Sequence, residues 1–190
     1  MSARIVFDLD GALIDSARDI NAIAKACLAS VGAAPVSLEE TQFFVGNGIG
    51  VFVTKMREAR SIPDSEHARP LADMTARYDD AVTLTETYPG VIGALETLDA
   101  VHQLGICTNK LLQPCMAVLK HLEIEGNFSA IWGGDNPSGR KPAPAPLLGV
   151  FEELGDELAS AWVTVKSTLK QRNARASRFF SSTPAAGKAR

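Results

Sequence analysis

Only three cysteines, three histidines and two tryptophans occur in 190 residues, and aromatic side chains make up 6% of the chain. Cys27, Cys107 and Cys115 are odd in number and form no C-x-x-C pair. They read as small buried thiols of a reducing compartment, the cytoplasm, and not as a disulfide framework. His67, His102 and His121 are scattered, so nothing in their spacing marks a metal site. No apolar run is long enough to span a bilayer, which excludes a helical membrane span. The N-terminus passes from Arg4 through three apolar residues to Asp8, a pattern that fits no signal peptide. Acids are missing after Glu157, whereas seven lysines and arginines follow it. The first 157 residues therefore carry about −10 and the rest about +7. That basic stretch has no RNA- or DNA-binding motif and little aromatic interleaving, so no nucleic-acid partner is expected.

What remains is the composition of an ordinary soluble globular protein, 46% hydrophobic and 22% charged. Such a length buries one substantial core, or a core plus a small second domain. The chain is organised around residues 5–16. Ile5, Val6 and Phe7 read as a buried strand running straight into Asp8, Asp10 and Gly11. Two aspartates two residues apart on an extended backbone point to the same side. Held that close, they disfavour double ionisation unless a cation shares the site. The arrangement suits one nucleophilic carboxylate, one general acid/base and a hard, oxygen-seeking ion such as Mg²⁺. Gly11 permits a tight turn at the strand's carboxyl end, where open α/β sheets bind ligands. A D-x-D pair alone would favour a solvated acidic turn; the longer D-x-D-G-x-L-x-D after an apolar strand favours a site.

Further along, residues 16–32 have helical spacing, with Ser16 or Asp15 as the cap and Gly32 as the stop. Residues 36–44 start a second short helix behind Ser37, Glu39 and Glu40. The glycine-rich turn Val45, Gly46, Asn47, Gly48 breaks it, and Val51, Phe52, Met56 and Ala59 resume helical spacing. Leu71, Met74, Tyr78 and Val82 line another helix. Residues 104–109 and 130–132 read as buried strands with helices at 114–122 and 146–154 between and after them, and residues 160–165 as a fourth strand. Strands alternating with helices predict an α/β fold, a doubly wound parallel sheet.

The residue 6–16 pattern resembles the haloacid dehalogenase superfamily in its phosphatase branch. The resemblance implies that Asp8 is phosphorylated and Asp10 handles protons. Dehalogenase and phosphonatase members carry a different residue at the second position, so Asp10 implies phosphate-ester chemistry; Ala12 stands where the family usually has Thr. The superfamily's second motif, a strand ending in Thr or Ser, maps to Thr108 with Asn109 adjacent. Its third motif maps to K-P-x-P-x-P, residues 141–146, in which alternate prolines forbid helix and present Lys141 from a rigid support. A fixed ammonium there can neutralise the nucleophile and the transferring phosphoryl group. The family's helical cap maps to residues 16–85, inserted into a core of 1–15 and 86–165, with 166–190 an aberrant basic tail.

Three local stretches resemble phosphoglycolate phosphatases: residues 45–48, residues 104–110 (L-G-I-C-T-N-K) and residues 132–148. In that family the cap's glycine-rich turn faces the active site and helps choose the substrate, which makes Gly46, Asn47 and Gly48 candidate substrate-binding residues alongside Thr108 and Asn109. The implied activity is Mg²⁺-dependent hydrolysis of 2-phosphoglycolate, with Asp8 and Asp10 holding the metal. The alternatives are another small phosphate substrate, a phosphomutase, or a catalytically impaired member.

The last alternative arises from the fourth motif, a strand followed by Gly-Asp-(Ser)-x-x-Asp. At that place the chain reads A-W-V-T-V-K-S-T, residues 161–168, without a carboxylate. Trp is always TGG and Val always begins GT, so reading Trp162-Val163 one base out of phase gives glycine. Continuing in that phase permits Asp and Ser, and Ser167-Thr168 permits a second Asp. The expectation is that the tail from about residue 160 is a frameshifted version of that motif, and the coding DNA decides it.

Overall fold

A computed structural model describes residues 2–79, 81–155 and 160–163. The first strand, β1 (Arg4–Phe7), ends where the aspartates begin. A two-residue strand β2 (Ile14–Asp15) leads into four helices, α1 (Ala17–Ser30), α2 (Leu38–Phe44), α3 (Ile49–Glu58) and α4 (Ala68–Tyr78). The chain returns through β3 (Glu86–Thr87), then α5 (Val91–Asp99), β4 (Gln103–Cys107), α6 (Leu112–His121), β5 (Ala130–Trp132), α7 (Ala145–Glu153) and β6 (Ser160–Val163). The main sheet has the order β5-β4-β1-β6, all pairs parallel. Parallel strands joined through helices, with crossovers that set β1 beside β4 and β6, are the doubly wound α/β arrangement that the strand–helix alternation predicts. The end of the expected 160–165 strand and the expected basic tail of 166–190, with its shifted frame, lie outside the described residues.

Local chemistry sets the element ends. Ser37 caps α2 through its side chain, and Glu40 reaches back to the Ser37 N–H, a complete capping box. At α1, of the two expected caps, Ser16 and Asp15, the structure uses the second: Asp15 Oδ1 accepts the Ala17 N–H at 3.1 Å and Ser16 makes no side-chain cap. Ser16 is free of that duty because its hydroxyl donates to Asp10. The short antiparallel pair β2–β3, with Ile14 opposite Thr87, has no signal in the sequence pattern, since two residues carry no periodicity. It ties together the points where the chain leaves and rejoins the sheet.

Three apolar clusters fill the described residues. Ile20, Leu28, Phe52, Met56 and Met74 pack among the four helices, and Phe44 stands edge-on to Phe52 at 5.7 Å. Leu9, Leu104, Ile106, Val118 and Leu119 pack on one face of the sheet, while Val6, Cys107, Val150 and Leu154 fill the other. A Cβ at Gly105 would stand 2.8 Å from Val150 Cγ1, so α7 lies against β4 as closely as a bare backbone allows. The functional residues collect where the sheet's carboxyl edge meets the helical layer.

Candidate active site

β1 runs out at Phe7, and the next three residues alternate in environment. Leu9 is fully buried under the sheet edge, while Asp8 and Asp10 both line a cleft. The turn that follows is closed by Gly11 N–H to Ile14 C=O at 2.9 Å, with Gly11 at φ 79°, a conformation natural to glycine. The cleft encloses about 450 Å³ including its open mouth. Its floor is Asp8, Asp10 and residues 108–110 from the end of β4; its roof is Val45, Gly46, Gly48, Ile49, Phe52, Met74 and Tyr78 from the helices.

Asp8 is held through one of its oxygens. Its Oδ1 accepts the Leu9 N–H at 2.8 Å and lies 2.7 Å from Lys141 Nζ. Burial pushes its pKa above the ordinary carboxylate value, and the Lys141 ammonium only partly offsets this. Lys141 reaches the site from the loop that precedes α7, 133 residues away in sequence. That loop turns at residues 140–143, where the Ala143 N–H donates to the Arg140 carbonyl at 2.9 Å, the Lys141–Pro142 peptide is cis, and Pro144 is the N-cap of α7. Asp10 is held differently: its Oδ1 accepts from Ser16 and lies 3.3 Å from Lys110 Nζ.

Residues 108–110 form a run of three buried polar side chains, 4%, 5% and 6% exposed. Burial on that scale requires partners, and each has them. The Thr108 N–H donates to the Trp132 carbonyl at 3.0 Å, which fixes the turn against β5, and Thr108 Oγ1 accepts the Lys110 N–H. Asn109 Oδ1 accepts the Lys141 N–H at 2.9 Å, and its Nδ2 donates to the Lys141 and Gly46 carbonyls. Lys110 Nζ sits between Asp10 and the Tyr78 hydroxyl, 3.4 Å from the latter and 4.5 Å from the ring centroid. Burial opposes the Lys110 charge, but Asp10 and Tyr78 more than compensate, and its pKa lies above the usual lysine value. Burial likewise raises the Tyr78 phenol.

Six of the eight sequence-predicted residues thus line one cleft: Asp8, Asp10, Gly46, Gly48, Thr108 and Asn109. Lys141 joins them through Asp8. Asn47 is exposed and is not among the lining residues. Gly46 and Gly48 have φ of 108° and 85°, so the turn needs glycine at both places, and Gly48 opens α3 toward the cleft. The sequence pattern gives Lys110, Ser16 and Tyr78 no part in the site. Lys110 carried one faint signal, a charge immediately after a buried strand; Tyr78 read as part of an apolar stripe, and Ser16 as a helix cap.

The donors available for a metal are the Asp8 carboxylate and the Asp10 main-chain carbonyl, hard oxygens at a strand tip, which fit Mg²⁺ in kind. Among the described residues no cluster of three His, Cys, Asp or Glu forms a metal site. A divalent ion at the two aspartates would therefore take its remaining oxygens from phosphate and water, as Mg²⁺ commonly does.

Comparison with known proteins agrees with this geometry. The family profile of haloacid dehalogenase-like hydrolases matches residues 5–165. A phosphoglycolate phosphatase of Cereibacter sphaeroides is 39% identical over 158 residues, covering 81% of this chain and 72% of that one. A phosphoglycolate phosphatase of Agrobacterium fabrum is 32% identical over 189 residues, with 92% and 78% covered. The crystal structure of a predicted phosphoglycolate phosphatase from Haemophilus somnus superposes with a TM-score of 0.74 at 26% identity, over 80% of this chain and 71% of that one.

Proposed function

Since the chain belongs to the haloacid dehalogenase-like hydrolases, we propose that it is a phosphatase hydrolysing 2-phosphoglycolate to glycolate and phosphate through an aspartyl phosphate on Asp8. One observation carries the reading: the Lys141 ammonium stands 2.7 Å from a half-buried Asp8 at the floor of a cleft that also holds Asp10. Both contacts to Asp8 fall on Oδ1, which leaves Oδ2 to attack phosphorus in line. As the Asp8 O–P bond forms and the ester P–O bond breaks, Asp10 gives its proton to the departing alkoxide. Water then attacks the acyl phosphate, Asp10 takes the water's proton, and phosphate leaves with Asp8 regenerated. Lys141 and the Thr108 hydroxyl stabilise the charge on the phosphoryl oxygens.

Asp8 and Asp10 are the residues that would hold Mg²⁺. Bound there, the ion would supply Lewis-acid stabilisation of phosphoryl charge. The choice of 2-phosphoglycolate rests on the relatives and on a small roofed cleft whose glycine turn offers main-chain amides to a second anionic group. The free, buried Cys27, Cys107 and Cys115 support a reducing cytoplasmic setting. No helix among the described residues is long and apolar enough to cross a membrane.

A second reading, a member with impaired catalysis, is favoured by residues 161–168, which lack the acid that completes the family's metal site. It predicts weak turnover, because losing a metal ligand costs at least the ~10–100-fold of losing a neighbouring support. Phosphate release measured on 2-phosphoglycolate, glucose 6-phosphate and p-nitrophenyl phosphate, with Asp8→Asn as the blank, tests both readings. Preference for 2-phosphoglycolate above the blank supports the phosphatase; equal rates on all three, or none above the blank, overturn it in favour of a different substrate or an inactive relative.

A further inference from the structure

The side chain of Asn109 is wholly occupied by backbone. Its amide makes two hydrogen bonds to a single residue, accepting the Lys141 N–H at 2.9 Å and donating to the Lys141 carbonyl at 3.1 Å. The same Nδ2 reaches the Gly46 carbonyl at 3.2 Å, in the turn that roofs the cleft. An asparagine amide has two donor hydrogens and one acceptor oxygen, so these contacts engage both its ends. Glycines crowd the same residue: a Cβ at Gly134 would lie 2.3 Å, and one at Gly48 3.2 Å, from the Asn109 carbonyl oxygen. Two segments remote in sequence, at Gly46 and Lys141, therefore close on the Asn109 side chain, and a third, at Gly134, on its main chain.

We infer that Asn109 is a positioning residue, which sets the main chain of Lys141 so that its ammonium meets Asp8 and ties that placement to the seating of the 45–48 turn. A flexible lysine stem makes a precise 2.7 Å contact only if its Cα is fixed, and the paired bonds to Lys141 N–H and C=O fix it as a strand partner would. The bond to Gly46 makes the same amide a latch for the roof. When the helical layer is seated on the cleft, Asn109 gains its third partner and Lys141 is held for the reaction. The inference takes the catalytic role of Lys141 from the proposed function; the positioning itself does not depend on it.

Asn109→Ala removes all three bonds, and Asn109→Asp keeps the acceptor for Lys141 N–H while turning both donor contacts into oxygen–oxygen repulsions. In hydrogen exchange on the full chain, Asn109→Ala accelerates exchange of the Lys141 amide by about fivefold, the worth of a hydrogen bond near 1 kcal/mol. Both variants also accelerate exchange in residues 45–50, with β1 and β4 unchanged. On 2-phosphoglycolate with Mg²⁺, both lower kcat with little change in KM. Unchanged exchange at Lys141 in Asn109→Ala, or acceleration spread equally through β1 and β4, overturns the inference. If Asn109→Ala fails to fold, the 45–50 exchange of Asn109→Asp decides. Absence of turnover in the unmodified chain counts against the proposed function, and the exchange result still stands or falls by itself.

Discussion

Lys110 and Asp10 face each other across the cleft floor at 3.3 Å, the lysine side chain 3% and the aspartate 9% exposed. A pair this enclosed is not a surface ion pair. The lysine comes from the end of β4, the aspartate from the turn after β1, and the Tyr78 ring from α4 covers the ammonium. The contact therefore joins both sheet strands to the helical roof, and its removal should be felt in stability as well as in turnover.

Lys110→Met leaves Asp10 and Tyr78 enclosed without their cation. Breaking a buried pair from one side costs on the order of 3 kcal/mol. Urea denaturation should show a lower midpoint with an unchanged slope. A loss below about 0.5 kcal/mol would mean that the pair is as weak as an exposed one.

Lys141→Met removes the ammonium from Asp8. Loss of one preorganised charge contact at the reacting group lowers kcat by about 100- to 1,000-fold. The pH dependence moves in a definite direction. Asp8 attacks as the carboxylate, burial already raises its pKa, and Lys141 is the main influence lowering it. Without Lys141 that pKa rises further, so the acid limb of kcat/KM shifts to higher pH at a fixed Mg²⁺ concentration. Profiles of the two proteins check this; a limb that stays put or moves down contradicts it.

Gly134→Ala and Gly93→Ala should part in sign. A Cβ at Gly134 would stand 2.3 Å from the Asn109 carbonyl oxygen, a backbone atom that cannot swing aside, so the turn must shift at a cost of about 1–3 kcal/mol. Gly93 lies in α5 with nothing within 4 Å of its added Cβ, and alanine there stabilises by about 0.5–1 kcal/mol. Thermal melts of the two variants should move in opposite directions.

EDTA should abolish phosphate release, and Mg²⁺ in excess should restore it. Ca²⁺, larger and with looser coordination, should restore far less. Turnover that survives chelation would remove the divalent ion from the reaction.

Much of this site is written locally. The D-x-D spacing and its preceding apolar triplet place both aspartates at a strand tip, and S-L-E-E is enough to specify the cap of α2. The four parallel strands follow from apolar runs alternating with helical spacing. What escapes is long-range partner choice. Nothing around Lys110 announces Asp10, 100 residues earlier, or Tyr78, 32 earlier. Asn109 invites a reading as a substrate ligand because its neighbour Thr108 ends a motif, yet its amide is spent on the backbone of Lys141 and Gly46. Ser16 sits at a helix start, where serine normally caps, but a carboxylate nearby in space outcompetes the helix for its hydroxyl. Asn47 shares a turn with two cleft-lining glycines and is itself exposed, a difference of backbone direction that composition does not encode.

The central claim is a phosphoryl group carried on Asp8. The protein is mixed with 2-phosphoglycolate and Mg²⁺, quenched in acid within the first turnover, digested and weighed by mass spectrometry. The peptide containing Asp8 should gain the mass of one phosphoryl group, and the Asp8→Asn protein should show none. Phosphate released without any label on that peptide, or a label that persists in Asp8→Asn, would contradict the account.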